Sequence, residues 1–150
     1  MRKGHVMSKL AFIFPGQGAQ KAGMGKDFYE NSEAARSFFD QAQKILDFDL
    51  KEMCFGEHEE LNLTEYTQPC MVSVCLAIVQ ELKKRGINPD ITAGLSLGEY
   101  AAVAAAGGMN ELDAIKLVRR RGILMQSTVP AGEGAMAAVL GLDAKKIEEI

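Results

Sequence analysis

No stretch of this chain is long and apolar enough to enter a bilayer as a helix. The longest apolar run, Cys70 to Val79, gives way to Glu81 and Lys83-Lys84-Arg85, well short of the roughly 20 residues a span requires. The first residues, Met1-Arg2-Lys3-Gly4-His5-Val6, are basic but have no apolar stretch behind them of the kind a secretory signal needs. Residues 1–9 therefore read as an N-terminal extension, with Met7 an alternative start. Basic residues are not in excess: 17 Lys and Arg stand against 20 Asp and Glu, for a net charge of -3. They are mostly dispersed, which argues against a nucleic-acid footprint. Cysteine is scarce, and Cys54, Cys70 and Cys75 show no metal-ligand spacing. An odd number of thiols in apolar settings reads as free buried cysteines in a reducing cytoplasm, with neither a disulfide framework nor a metal site. Internal repeats and low-complexity segments are absent.

What is present is the composition of a globular domain or part of one: 150 residues, 47% hydrophobic and 25% charged. Leu10-Ala11-Phe12-Ile13-Phe14, bounded by Pro15-Gly16, has the continuous apolar character of a strand buried on both faces in a parallel sheet. After a glycine-rich stretch, Asp27 is positioned to cap a helix carrying Phe28, Ala35, Phe38, Phe39, Ala42, Ile45 and Leu46 near helical spacing. Phe48 to Phe55 predicts a further short helix and Gly56 to Asn62 a surface loop. A helix is expected from Thr67 through Leu82, stopped by the basic turn Lys83-Lys84-Arg85 and Gly86. Ile91-Thr92-Ala93 is strand-like, and Leu97 to Ala106 favours helix up to Gly107-Gly108. Asn110, with Asp113 three residues on, opens a helix expected to reach about Met125. Val129 to Gly134 is a loop, Ala135 to Leu142 a β-type run, and Asp143 caps a last helix. Alternation of helix and strand argues an α/β fold.

Gly94-Leu95-Ser96-Leu97-Gly98 is a G-x-S-x-G pentapeptide placed between the strand-like run and the alanine-rich helix. On such a strand-to-helix elbow the serine is pushed out of the turn, and its neighbours two positions either way must be small because strand and helix pass close together. The helix N-terminus then aims N–H groups at any oxyanion formed beside the serine. Ser96 is thus a candidate nucleophile. Gln17, in Phe14-Pro15-Gly16-Gln17-Gly18, follows the first strand where ligand-facing loops occur, and its amide either donates to an oxyanion or merely belongs to a turn. Phosphate-loop and dinucleotide fingerprints both fail. The first would need Gly at Gln20 and Ser or Thr at Asp27, the second Gly at Lys21.

Arg119-Arg120-Arg121 cannot share one environment, because consecutive helical residues are about 100° apart. Arg120 falls with Lys116 on the polar side and Arg119 toward the edge near Ile115, while Arg121 projects into the apolar arc. A guanidinium there needs an anion, which could be Glu99 or the carboxylate of a substrate.

Taken in order, Phe14-Pro15-Gly16-Gln17-Gly18, Thr67-Gln68-Pro69, Gly94-Leu95-Ser96-Leu97-Gly98-Glu99-Tyr100, Arg121-Gly122 and Gly134-Ala135-Met136-Ala137-Ala138-Val139 resemble successive blocks of the malonyl-CoA:acyl carrier protein transacylases of fatty acid synthesis. The resemblance covers Leu10 to the end. It implies that Ser96 is acylated, that Gln17 and the backbone amide of Leu97 form the oxyanion hole, and that Arg121 binds the malonyl carboxylate. It also implies an α/β-hydrolase-like parallel sheet, here partial, with residues 10–130 the first part of a large subdomain and 131–150 the start of a ferredoxin-like small subdomain. Substrates would be malonyl-CoA and the phosphopantetheine thiol of acyl carrier protein, with no cofactor and no metal. The family often places His before the serine, where this chain has Leu95. The family's catalytic histidine lies beyond residue 150, and neither His5 nor His58 matches a motif, so no general base is expected within 1–150 and turnover by these residues alone is expected to be negligible. A serine esterase or thioesterase of the α/β-hydrolase type would use the same elbow, and a catalytically inactive fragment is the remaining alternative.

Overall fold

The computed structural model describes residues 9–129, 132–134 and 139–149. Two strands, β1 (Ala11–Phe14) and β2 (Ile91–Gly94), pair in parallel with Ala11 opposite Ile91 and Phe14 opposite Gly94. The register is locked at its start by Asp90, whose carboxylate accepts from the Leu10 N–H at 2.8 Å. Between the strands run α1 (Lys26–Asn31), α2 (Glu33–Gln43), α3 (Leu50–Phe55), a short 3-10 turn (Glu59–Asn62) and α4 (Thr64–Lys84). After β2 come α5 (Gly98–Ala105), α6 (Glu111–Thr128) and α7 (Ala144–Glu148). The architecture is α/β, a small parallel sheet with helices.

Helix α4 is the centre of the core. Every residue from Thr67 to Val74 is buried, as expected of a helix flanked on all sides. It packs against α2 (Ala35, Phe38, Phe39, Ala42), α5 (Ala101, Ala104, Ala105) and α6 (Ala114, Ile115, Val118). Leu76 is wholly buried here, and truncating such a side chain to alanine costs about 2–5 kcal/mol.

Several boundaries differ from expectation, each for a local reason. The helix expected from Asp27 is two helices: Gly25 in the left-handed region (φ 77) starts α1, Asp27 lies inside its first turn, and Ser32 breaks it. The Ser32 side chain accepts from the Ala35 N–H at 3.0 Å and so caps α2, which ends at Gln43. The Gly56 to Asn62 stretch contains the 3-10 turn and buries Leu61. Helix α4 begins at Thr64, three residues before the expected Thr67, and carries Pro69 inside it. Strand β1 is not buried on both faces, since Ile13 is 78% exposed. An apolar groove of about 410 Å³ runs beside it, lined by Phe12, Ile13, Met71, Val74, Ile78 and Leu82 among others. Other readings stand: the short helix expected over Phe48 to Phe55 is α3, Gly86 and Gly107 take positive φ after their helices, Asn110 accepts from Leu112 and Asp113, and Asp143 caps α7. Val139 to Leu142 form no strand, and Ala135 to Ala138 of the expected β-type run, like residues 1–8 of the N-terminal extension, lie outside the described residues.

Candidate active site

The site is built where the parallel strands end. β2 finishes at Gly94 and α5 begins at Gly98, so the chain turns a corner in Leu95-Ser96-Leu97. Ser96 sits at φ 51, and among the described residues it is the only non-glycine in the left-handed region. A side chain held there costs about 1–2 kcal/mol. A β-carbon on Gly94 would land on the backbone of Gly98, and one on Gly98 would land on the carbonyl of Phe14. Both positions therefore admit only glycine at this approach. The outcome is an exposed Ser96 hydroxyl beside a Leu97 side chain that is buried. Among the described residues no acceptor takes the Leu97 N–H, which points from the start of α5.

The first loop is pressed against this corner. The Leu95 N–H donates to the Phe14 carbonyl at 3.1 Å, and a β-carbon on Gly16 would stand 2.9 Å from the Leu95 oxygen. Gln17, next in sequence, has its amide Nε2 on Thr64 Oγ1 at 3.0 Å, which ties the loop to the first residue of α4. Gln20 braces the same loop by accepting from the Gly18 N–H at 2.8 Å and donating to Asn62 at 3.1 Å.

The three arginines of α6 occupy three environments. Arg120 and Lys116 are exposed. Arg119, with a side chain only 12% exposed, forks onto Asp47 at 2.9 and 3.0 Å and reaches the Glu65 carboxylate at 3.2 Å. Its guanidinium lies over the rings of Phe48 and Tyr66. Hydrogen bonding from Arg119 holds the Asp47 carboxyl below the usual carboxylate range. Arg119 also donates to the Glu65 carbonyl at 2.8 Å. That carbonyl would otherwise accept from residue 69, where proline has no N–H to give. The proline inside α4 is therefore matched by an arginine from the neighbouring helix.

Arg121 is placed differently. It is half-buried, donates to the Gln68 amide oxygen at 2.8 Å and lies 5.6 Å from the centre of the Tyr100 ring. Tyr100 is in the first turn of α5, four residues from Ser96, so the guanidinium is carried to the elbow's own helix. Among the described residues no carboxylate comes within 4.0 Å of it, and Glu99 is not its partner. Gly122 makes this approach possible, because a β-carbon there would sit 2.7 Å from the Thr64 oxygen. Gln126, a turn further on, accepts from the Thr64 N–H at 3.1 Å.

Gln68, Tyr100 and Thr64 shape the site without any one of them standing out in the sequence. The buried amide ahead of Pro69 was the available signal. His58 bonds to Glu52 on α3 at 3.1 Å and takes no part at the elbow, while His5 lies outside the described residues. The thiols are free; Cys70 is pushed up by hydrogen bonding to Cys54 and by burial, and burial pushes Cys75 up to about 11. Neither thiol is a nucleophile at neutral pH. The groove beside β1 is lined by none of Ser96, Gln17 or Arg121.

An acyl transferase domain family model matches residues 11–149 of this chain. The chain belongs to the acyl transferase domain family. Over 145 residues it is 50% identical to the malonyl CoA-acyl carrier protein transacylase of Bacillus subtilis, a match covering 96% of this chain and 46% of that protein. The crystal structure of malonyl CoA-acyl carrier protein transacylase from Clostridium perfringens superposes on it with a TM-score of 0.84 at 43% identity, over 95% of this chain and 45% of that one. A malonyl-transacylase solved in complex with a type II polyketide synthase acyl-carrier protein gives a TM-score of 0.84 at 40% identity, over 95% of this chain and 47% of the other. This acyl transferase domain sequence thus spans a little under half the length of the relatives it matches.

Proposed function

We propose that this acyl transferase domain contributes the nucleophile, oxyanion hole and carboxylate site of an enzyme that moves a malonyl group from malonyl-CoA to the phosphopantetheine thiol of acyl carrier protein. The observation that carries the reading is the pairing of a strained, exposed Ser96 with an arginine that has no carboxylate partner among the described residues. Ser96 Oγ attacks the thioester carbonyl, its proton passes to a base and on to the departing CoA sulfur, and the malonyl ester is left on the serine. The Leu97 N–H and the Gln17 amide are the donors for the tetrahedral oxyanion, where losing one donor costs about 100-fold to 1000-fold in rate. Arg121 grips the free carboxylate of the malonyl group and so distinguishes it from acetyl. The thiol of acyl carrier protein then attacks the ester and Ser96 is regenerated. No residue described here serves as the base, and the α/β-hydrolase-like sheet, the division at about residue 130 and the ferredoxin-like small subdomain are parts of the same proposal. A cytoplasmic setting suits these substrates and three free thiols; no described helix is long and apolar enough to cross a membrane. A simple serine esterase has no use for a cation awaiting a carboxylate, which favours the transferase.

The test is intact-mass analysis after exposure to malonyl-CoA and, separately, acetyl-CoA. A slow malonyl adduct is expected on the wild-type chain and none on Ser96→Ala. Arg121→Ala is expected to lose malonyl labelling while retaining acetyl labelling. An adduct that persists in Ser96→Ala, or an unchanged acyl preference in Arg121→Ala, refutes the assignment.

A further inference from the structure

Arg119 and Arg121 are two residues apart on one helix, both withdrawn from solvent, and they are treated oppositely. Arg119 is met by two carboxylates. Arg121 is met by the neutral oxygen of Gln68 at 2.8 Å and by the face of Tyr100. Gln68 is wholly buried on α4. Its other amide atom, Nε2, donates to the sulfur of Met125 at 3.3 Å, so the amide has one orientation, with oxygen toward the guanidinium. Met125 is one turn beyond Arg121 on α6, and the same helix that brings the cation thus fixes the group that holds it.

We propose that Gln68 is a positioning residue that holds Arg121 without cancelling its charge, leaving the cation available to an incoming carboxylate. The inference rests on the reading of Arg121 as a carboxylate site and adds the reason an amide stands at position 68. A glutamate there would keep the hydrogen bond and the shape, but it would supply in permanent form the anion that the ligand brings. The guanidinium would be paired before any substrate arrived, as Arg119 is. Tyr100 contributes in the same sense, since a ring face attracts a cation without neutralising it.

The experiment uses the full chain with arginine labelled in nitrogen-15. The Arg121 Nε–H signal, identified by its loss in Arg121→Lys, is followed as sodium malonate is added at constant ionic strength, with chloride as the control anion. The wild type is expected to shift saturably. Gln68→Glu is expected to weaken malonate binding by about tenfold or more, because a fixed carboxylate competes for the same charge. Gln68→Met, neutral and similar in volume, is expected to weaken it by about threefold at most, the loss of one hydrogen bond. An unchanged Arg119 signal in each variant reports that α4 and α6 remain packed. Should Gln68→Glu disturb that signal, Met125→Leu decides: freeing the amide to rotate is expected to weaken binding at least about twofold, and no change overturns the proposal. Equal losses in the Glu and Met variants would reduce Gln68 to a structural role and overturn it, as would wild-type affinity in Gln68→Glu. If the wild-type Arg121 signal ignores malonate, the reading of Arg121 itself fails and this inference goes with it.

Discussion

Replacing Arg119 by methionine, which keeps an unbranched stem between Phe48 and Tyr66, removes four things: the fork onto Asp47, the contact with the Glu65 carboxylate, the donor to the Glu65 carbonyl and the cation over the two rings. The Asp47 carboxylate is 66% exposed, so its share is a surface ion pair of about 1 kcal/mol or less. The carbonyl matters more. With Pro69 four residues on, α4 has no N–H at that position to replace the lost donor, and leaving this part-buried acceptor unsatisfied costs about 1–3 kcal/mol. A total of about 2–4 kcal/mol is expected for Arg119→Met. In a Pro69→Ala background the new N–H at position 69 can bond the Glu65 carbonyl, and the same Arg119→Met change is expected to cost about 1–2 kcal/mol less. Urea unfolding of the four chains, followed by far-ultraviolet circular dichroism, gives the coupling directly. Additivity within about 0.5 kcal/mol would show that proline and arginine do not share that carbonyl, and the reasoning would be wrong.

Three further outcomes are expected. Gly98→Ala drives a methyl group into the Phe14 carbonyl and should cost more than about 3 kcal/mol or prevent folding, read as melting temperature and soluble yield; near-native stability would contradict the described elbow. Because the hydrogen bonds from Arg119 hold the Asp47 carboxyl below the usual carboxylate range, their pair adds stability above about pH 4 and loses it as the pH falls further. Wild type should therefore lose slightly more stability than Asp47→Asn between about pH 5 and pH 3, by less than about 1 kcal/mol given the exposure of the carboxylate, and equal acid sensitivity would count against the pair. Cys75, half-buried on the wall of the groove beside β1 and pushed up to about 11, should react with iodoacetamide at pH 8 more slowly in the folded chain than in denaturant; equal rates would contradict the raised thiol.

Much of the fold was legible because the signals were local. The apolar run before Pro15-Gly16, the small residues flanking Ser96 and the glycine stops at Gly86 and Gly107 each encode one backbone decision, and the chain makes those decisions where expected. The start of α4 was not legible. Thr67-Gln68-Pro69 looks like a helix beginning because proline is tolerated in a first turn, yet here the helix starts at Thr64 and the missing bond is supplied by Arg119 from far along the sequence. The break at Ser32 was hidden because apolar residues continue at helical spacing across it. Ser96 and Arg121 could be nominated from pattern alone, but Arg121's partner could not. Glu99 is the nearer candidate in sequence, and the amide that holds the guanidinium is buried on another helix.

The corner at Ser96 is held by main chain meeting main chain: Gly94 against Gly98, Gly98 against Phe14, and Gly16 against Leu95. Contacts of that kind are indifferent to which side chains surround them. Side chains around this corner can therefore be exchanged while the Ser96 backbone and the Leu97 N–H beside it keep their relative coordinates.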